Sequence, residues 1–208
     1  MVTKLSEKQW DDFVKNHCLD DEMKKISYKE LMENTNNGEI DFNKLALPEN
    51  STSDISLAIS AGDRSCTLAI GYVVVDVACL AIGAVGIRSS ISSSSVESVA
   101  TVVESSIPEI LSSVETIARS GSSALQRAQA CWSIIKVVLK SPYKIFSAIF
   151  SSLPWYKKAL AIAQACATIA AALLTDGAAL IAEIVVELAS FGFLVSDSVE
   201  AVSACKIS

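Results

Sequence analysis

This chain has very little histidine: His17 is the only one in 208 residues. A histidine-based metal cluster therefore lacks ligands, and a Ser-His or Cys-His nucleophile pair is not expected either. No C-x-x-C occurs. The six cysteines (Cys18, Cys66, Cys79, Cys131, Cys166 and Cys205) are dispersed, and four lie inside apolar runs, where a thiol behaves as a small hydrophobe. A disulfide framework is not expected in a chain of this length whose first residues, MVTKLSEKQWDDF, are too polar for a signal or transit peptide. No glycine-rich phosphate loop appears, since AIGAVGI at 81–87 has the wrong spacing. The net charge of −6 argues against a nucleic-acid partner. These absences give a non-enzyme with no cofactor and no metal, made in the cytoplasm without a signal peptide. Any release would follow a route not written at the N-terminus.

What is abundant is aliphatic. Hydrophobic residues make up 51% of the chain against 19% charged and 6% aromatic. Alanine and leucine favour helices, and valine and isoleucine are tolerated there when buried. The charges come in blocks. Residues 116–175 carry seven basic side chains (Arg119, Arg127, Lys136, Lys140, Lys144, Lys157 and Lys158) and no acidic one. Residues 176–205 carry five acidic side chains and no basic one. Such separation points to partners of opposite charge, internal or external.

The spacing predicts an all-α chain. A polar helical cap occupies 1–50, and a compact bundle of six to seven helices around a central apolar hairpin occupies 54–208. Ser6 with Gln9 and Ser27 with Glu30 are capping boxes that start helices at 7–16 and 28–34. The first helix has Trp10, Phe13 and Val14 on one face. The stretch ENTNNGEIDF resembles a degenerate calcium loop, with Asn37, Gly38, Ile40 and Asp41 at plausible positions. Glu33 and Lys44 stand where two carboxylate ligands belong, so a plain Asn-Gly turn is the better reading. Serines at 89–95 read as a linker, Pro108 and Pro142 mark helix starts, and Gly121 separates a helix near 108–119 from one at 123–140. In the latter, Leu125, Ala128, Trp132, Ile135 and Leu139 form an apolar stripe. Asp63-Arg64 and Asp76 stand isolated.

Two apolar units shape the functional reading. Residues 66–87 contain one charge, Asp76, and as a single helix would measure about 33 Å. Residues 159–195, ALAIAQACATIAAALLTDGAALIAEIVVELASFGFLV, contain three (Asp176, Glu183 and Glu187) and a turn signal at Thr175-Asp176-Gly177. Splitting there gives arms at 155–174 and 178–196, with Ala163, Ala167 and Ala171 as a close-packing row. Ile169, Leu173, Leu180, Ile184 and Leu188 are expected to be nearly inaccessible in a closed form. On this reading the protein is membrane-active, pore-forming or toxin-like. Arg127, Trp132, Lys136, Lys140, Trp155, Lys157 and Lys158, within 123–158, dock on an anionic lipid membrane. Asp176, Glu183 and Glu187 gate insertion, because an ionised carboxylate near a bilayer centre costs about 2.5–3.5 kcal/mol. Self-association into a homo-oligomer would accompany pore formation.

The layout of residues 54–208 is similar to that of pore-forming colicin domains, as architecture only. No motif is shared, and no residue role follows from the likeness. The alternative reading is a soluble helical interaction or scaffold protein whose apolar hairpin is only its core, with Lys136, Lys140, Lys157 and Lys158 facing the acidic hairpin residues. A third, a carrier for an apolar small molecule, would need a cavity among the helices.

Overall fold

Ser65 starts the helix around which the molecule is built. Its Oγ accepts the Leu68 N–H and caps α3 (Cys66–Ala81). This helix is apolar on every side, and from Ala69 to Ala81 only Tyr72 escapes full burial. A helix without a polar face has to be enclosed by others. The computed structural model describes residues 3–16, 21, 23–42, 45, 65–188 and 192–206. His17, Cys18, Lys44, Pro48, Asp63-Arg64 and the expected helical start at 54 lie outside the described residues.

The architecture is all-α and helix-rich. α1 (Glu7–Asn16) and α2 (Tyr28–Asn34) precede α3. α4 (Ser93–Val103), α5 (Ile107–Ala118), α6 (Ala124–Val138), α7 (Pro142–Ile149), α8 (Trp155–Leu173), α9 (Ala178–Glu187) and α10 (Gly192–Lys206) follow it. Eight α-helices thus run from Cys66 onward among the described residues, where the spacing suggested six or seven. α3 packs on α4, α6 and α10, while α10 also lies on α5, and α9 rests on α6. At the α3–α4 crossing, Gly71 has no room for a side chain: a Cβ there would sit 2.7 Å from Ala100 Cβ and 3.0 Å from the Val96 carbonyl oxygen.

Most helix starts fall where the caps place them. The Ser6–Gln9 box is formed, with the Ser6 N–H on Gln9 Oε1 at 2.9 Å and the Gln9 N–H on Ser6 Oγ at 3.3 Å. Ser27 Oγ accepts the Glu30 N–H. Ser123 and Gln126 form a second complete box at the start of α6. The serine-rich 89–95 is not a linker. A 3-10 turn covers Val85–Ser90, and Ser92 Oγ caps α4 by accepting the Ser95 N–H. The Asn-Gly turn is also present, with Asn37 and Gly38 at positive φ. It leads into a short antiparallel pair, β1 (Thr3–Lys4) with β2 (Glu39–Ile40), which no sequence pattern announced.

The N-terminal elements share the core of the bundle. Trp10 and Phe13 are buried, Trp10 Nε1 donates to the Ile26 carbonyl at 3.1 Å, and Tyr28 Oη donates to the Leu5 carbonyl at 2.8 Å. The Phe13 ring lies 6.3 Å from that of Tyr143, and Phe42 stacks on Phe150 at 5.7 Å. These aromatic contacts join α1 and the post-β2 segment to α7.

The structure overturns the membrane-inserting reading. Among the described residues no single helix is long and apolar enough to cross a membrane. The 66–87 run stops at Ala81, sixteen residues or about 24 Å, because Gly83 at φ +65° turns the chain into Val85–Ser90. The 159–195 stretch is broken at Thr175-Asp176-Gly177. α8 and α9 form a pair bent by 115°, and α9 has ten residues, about 15 Å, half a hydrocarbon core. The residues expected in one arm at 178–196 are divided between α9 and α10.

The apolar surface of the first three turns of α8 is already satisfied internally, with Ala159, Leu160, Ala161, Ile162, Ala163, Ala165 and Cys166 at most 3% exposed. Ile169, Leu180 and Ile184 are buried as expected. Leu188 is half-buried and Leu173 is 50% exposed, so α3, not the hairpin, is the most enclosed element. Pore-forming, toxin and membrane-insertion descriptions therefore do not apply to this packed bundle.

Candidate functional site

Asp76 lies in the middle of the most apolar helix and is 0% exposed. A buried carboxylate is tolerated only with a partner. Arg88, delivered by the Val85–Ser90 turn just past the end of α3, supplies it: Nε donates to Asp76 Oδ1. The same guanidinium donates through Nη2 to Asp197 Oδ2 of α10 at 2.8 Å. Its faces are covered by two rings, Tyr72 at 5.2 Å and Phe193 at 5.7 Å from Cζ to centroid. The three charged groups thus tie α3, the turn and α10 together in a nearly closed pocket of protein.

Two carboxylates share one guanidinium, leaving a net buried charge of −1 that one proton neutralises. Burial lifts the Asp76 carboxyl to about 7, against the pull of Arg88 and with the push of Asp197, and its Oδ2 has no hydrogen-bond partner among the described residues. Burial works against the Arg88 charge too, but the carboxylates, Asp76 first, outweigh it and raise its pKa. The neighbouring Cys79 thiol is pushed up to about 12 by burial, with Asp76 adding, and burial does the same to Cys131. Both thiols are inert packing groups.

A second link joins the same two helices. Cys66, in the first turn of α3, forms a disulfide with Cys205, in the last turn of α10. This corrects the expectation that the cysteines would stay unpaired. Pairing 66 with 205 and 76 with 197 fixes α10 antiparallel to α3. Ten residues on one helix and eight on the other separate the links, about 12–15 Å of helix. Leu194, Asp197, Ser198, Ala201 and Cys205 share one face of α10, and Leu194, Ser198 and Ala201 are its buried residues.

The shared proton makes stability pH-dependent in a direction opposite to that of an exposed ion pair. An acid whose folded pKa lies above its ordinary value, here about 7 against 3.8, makes the fold bind the proton more tightly than the unfolded chain does. The contribution is fully present below about pH 4 and is lost as pH rises towards 7, with an upper bound of roughly 4 kcal/mol. In Asp76→Asn this contribution vanishes, while the amide oxygen still accepts from Arg88 and Asp197 keeps the charge balanced. The stability difference between wild type and variant, from urea unfolding, should move against the wild type between pH 5 and pH 8. Parallel pH profiles would show that Asp76 does not hold the proton.

The residues singled out for membrane docking and gating differ in exposure and in their partners. Trp132 is 6% exposed and lies under the turn between α8 and α9. A Cβ on Gly177 (φ +76°) would sit 2.4 Å from its ring, so the tryptophan buttresses this turn and offers nothing to a lipid headgroup. Arg127 is half-buried, with Nη2 donating to the Arg119 carbonyl at 3.1 Å. Lys140 pairs with Glu109 of α5 at 2.5 Å. Lys136 and Lys157 are exposed, Lys158 is half-buried and Trp155 is 40% exposed. Asp176 sits in the turn at φ +47°, off the helical face that would have aligned it with Glu183 and Glu187. Glu183 is exposed. Glu187 is half-buried, with its pKa raised by burial and then by Glu183.

Arg88, Asp197 and the Cys66–Cys205 pair are the residues that sequence reasoning passed over. A sole charge in an apolar run requires a counter-charge, and Arg88 is the first cation after Asp76 in the chain. Between α1 and α8 an open groove of about 320 Å³ is lined by Gln9, Asp12, Phe13, Cys166, Ala167 and Leu174, the lower end of small-molecule sizes. Comparison of the chain with family models, with curated proteins and with solved structures finds no match.

Proposed function

We propose that this chain is a helical interaction or scaffold protein that works as a closed bundle, with no membrane step and no catalytic chemistry. The outer face of α9 carries the reading. Ala178, Ala182 and Val186, spaced by four, face outwards beside Ala179 and Glu183, and Val186 is 76% exposed. The end of α8 and the turn after it add Leu173 at 50% and Leu174 at 89% exposure. The first half of α8 is enclosed, and this open apolar strip with an acidic rim is left for contact with another protein chain. A second copy and a different protein both belong to that class. The net charge of −6 supports a reading without nucleic acid. Residues 1–50 act as a cap on the 54–208 bundle and not as an independent domain, a division supported by the Phe13–Tyr143 and Phe42–Phe150 contacts.

The test is site-specific photo-cross-linking in the full chain, with the reactive side chain at Ala182 or at exposed Lys144. Discrete protein adducts are expected from position 182 and not from 144. Adding Leu174→Glu and Val186→Glu should abolish them while leaving stability within about 0.5 kcal/mol, since both sites are exposed. In flotation with anionic liposomes the protein should stay in the aqueous fraction at pH 7 and pH 5. Identical adducts from both positions, or flotation at either pH, would sink the proposal.

A further inference from the structure

We infer that the Cys66–Cys205 pair is a reversible redox site whose reduction releases α10 from α3 and uncovers an apolar face of the bundle. The inference goes beyond the contact surface on α9 and does not depend on it. Both sulfurs lie in half-buried residues at helix ends, within reach of a small thiol, whereas Cys79, Cys131 and Cys166 are buried inside the bundle. The pair ties α10, the last helix, to the first turn of α3.

α10 packs on α3 and α5 with few fully enclosed side chains, while Val202, Ala204 and Cys205 lie half-buried against the core. Of its fifteen residues only Leu194, Ser198 and Ala201 are buried, and Leu194 is the one large apolar side chain among them. Ser198 Oγ is buried without a hydrogen-bond partner among the described residues. The ionic link through Arg88 carries an excess carboxylate. Beneath α10, positions 66, 69, 73 and 76 lie along one face of α3, and Ala69 and Val73 are at most 1% exposed. With α10 displaced, that face is open.

The chemistry balances with a dithiol as reductant. One of its thiolates attacks a sulfur of the pair, breaking the S–S bond, forming a mixed disulfide and expelling the other cysteine as a thiolate. The second thiol of the reductant then displaces the bound cysteine. The protein gains two electrons and two protons, and the reductant leaves as its disulfide. Disulfides persist in oxidising compartments and open in reducing ones, so the state of the pair reports the surroundings.

The experiment is amide hydrogen exchange on the full chain at pH 7, oxidised and then treated with dithiothreitol. Exchange in 192–206 is expected to accelerate at least tenfold on reduction, with α6 and α8 unchanged, and to return on reoxidation. Cys205→Ser should reproduce the reduced pattern without reductant, and Cys79→Ser should respond as wild type does. Should Cys205→Ser fail to fold, the reductant arm on wild type, with helix content followed by circular dichroism, still decides. Unchanged exchange in α10, acceleration spread evenly over α3, α6 and α8, or protection that does not return on reoxidation would each overturn the inference.

Discussion

Replacing Arg88 with methionine should cost about 3–5 kcal/mol of folding stability at pH 8, measured by urea unfolding. The magnitude follows from what is left behind. Methionine fills much of the aliphatic volume of arginine, so packing between Tyr72 and Phe193 is largely kept. Two carboxylates remain, one with a fully buried side chain and one 12% exposed, and both have lost the guanidinium they shared. A buried ion without a partner is among the most destabilising single lesions a domain can carry. Lys140→Met is the internal control. It removes a pair whose side chains are 57% and 55% exposed, and it should change stability by less than about 1 kcal/mol. The Arg88 cost should shrink at pH 5, where Asp76 is protonated, and should fall again when Asp76→Asn is added. An Arg88→Met cost no larger than that of Lys140→Met would mean that the buried triad does not hold α10 in place.

The elements that local chemistry specifies were legible in the sequence. Ser6, Ser27, Pro108, Pro142 and Gly121 each act through groups within a few residues, and the helices begin or end beside them. What misled was the length of the apolar runs. Hydropathy measures how strongly a segment avoids water, not whether protein or lipid takes water's place, and a helix enclosed by other helices has the same composition as one that spans a bilayer. The breaks that decide the matter are small: Gly83 at positive φ ends the first unit, and Asp176 and Gly177 at positive φ bend the second.

The site was harder to read because it is assembled across the chain. Asp76 and Asp197 meet at one guanidinium although 121 positions separate them, and Trp132 meets Gly177 across 45. Helical periodicity placed Trp132 on the right stripe of α6 and Arg127 and Lys136 off it. It could not say whether that stripe faced lipid or the next helix. A lone buried charge was the one usable signal, since it obliges a partner somewhere, and Arg88 is the first candidate after it.

Removing the disulfide in Cys66→Ser, Cys205→Ser should lower global stability by about 3–5 kcal/mol. The cross-linked positions are 139 residues apart, and the loop-closure model gives about 5 kcal/mol for a loop of that size. Native disulfides yield 2–5 kcal/mol in practice, because an unfolded chain this apolar is not a random coil. The more informative quantity is the coupling to Arg88. If the disulfide is what closes α10 onto α3, cutting it loosens the helix even with Arg88 in place, and removing the ionic link as well then costs less than it does in the oxidised protein. Once the helix is loose, Asp197 can move into water, so the penalty for taking the guanidinium from it in Arg88→Met should diminish. A double-mutant cycle between Arg88→Met and the serine pair is therefore expected to be sub-additive by roughly 1–2 kcal/mol, within the range for residues that share a mobile element. Additivity to within about 0.5 kcal/mol would show instead that the ionic link and the disulfide stabilise independent parts of the fold.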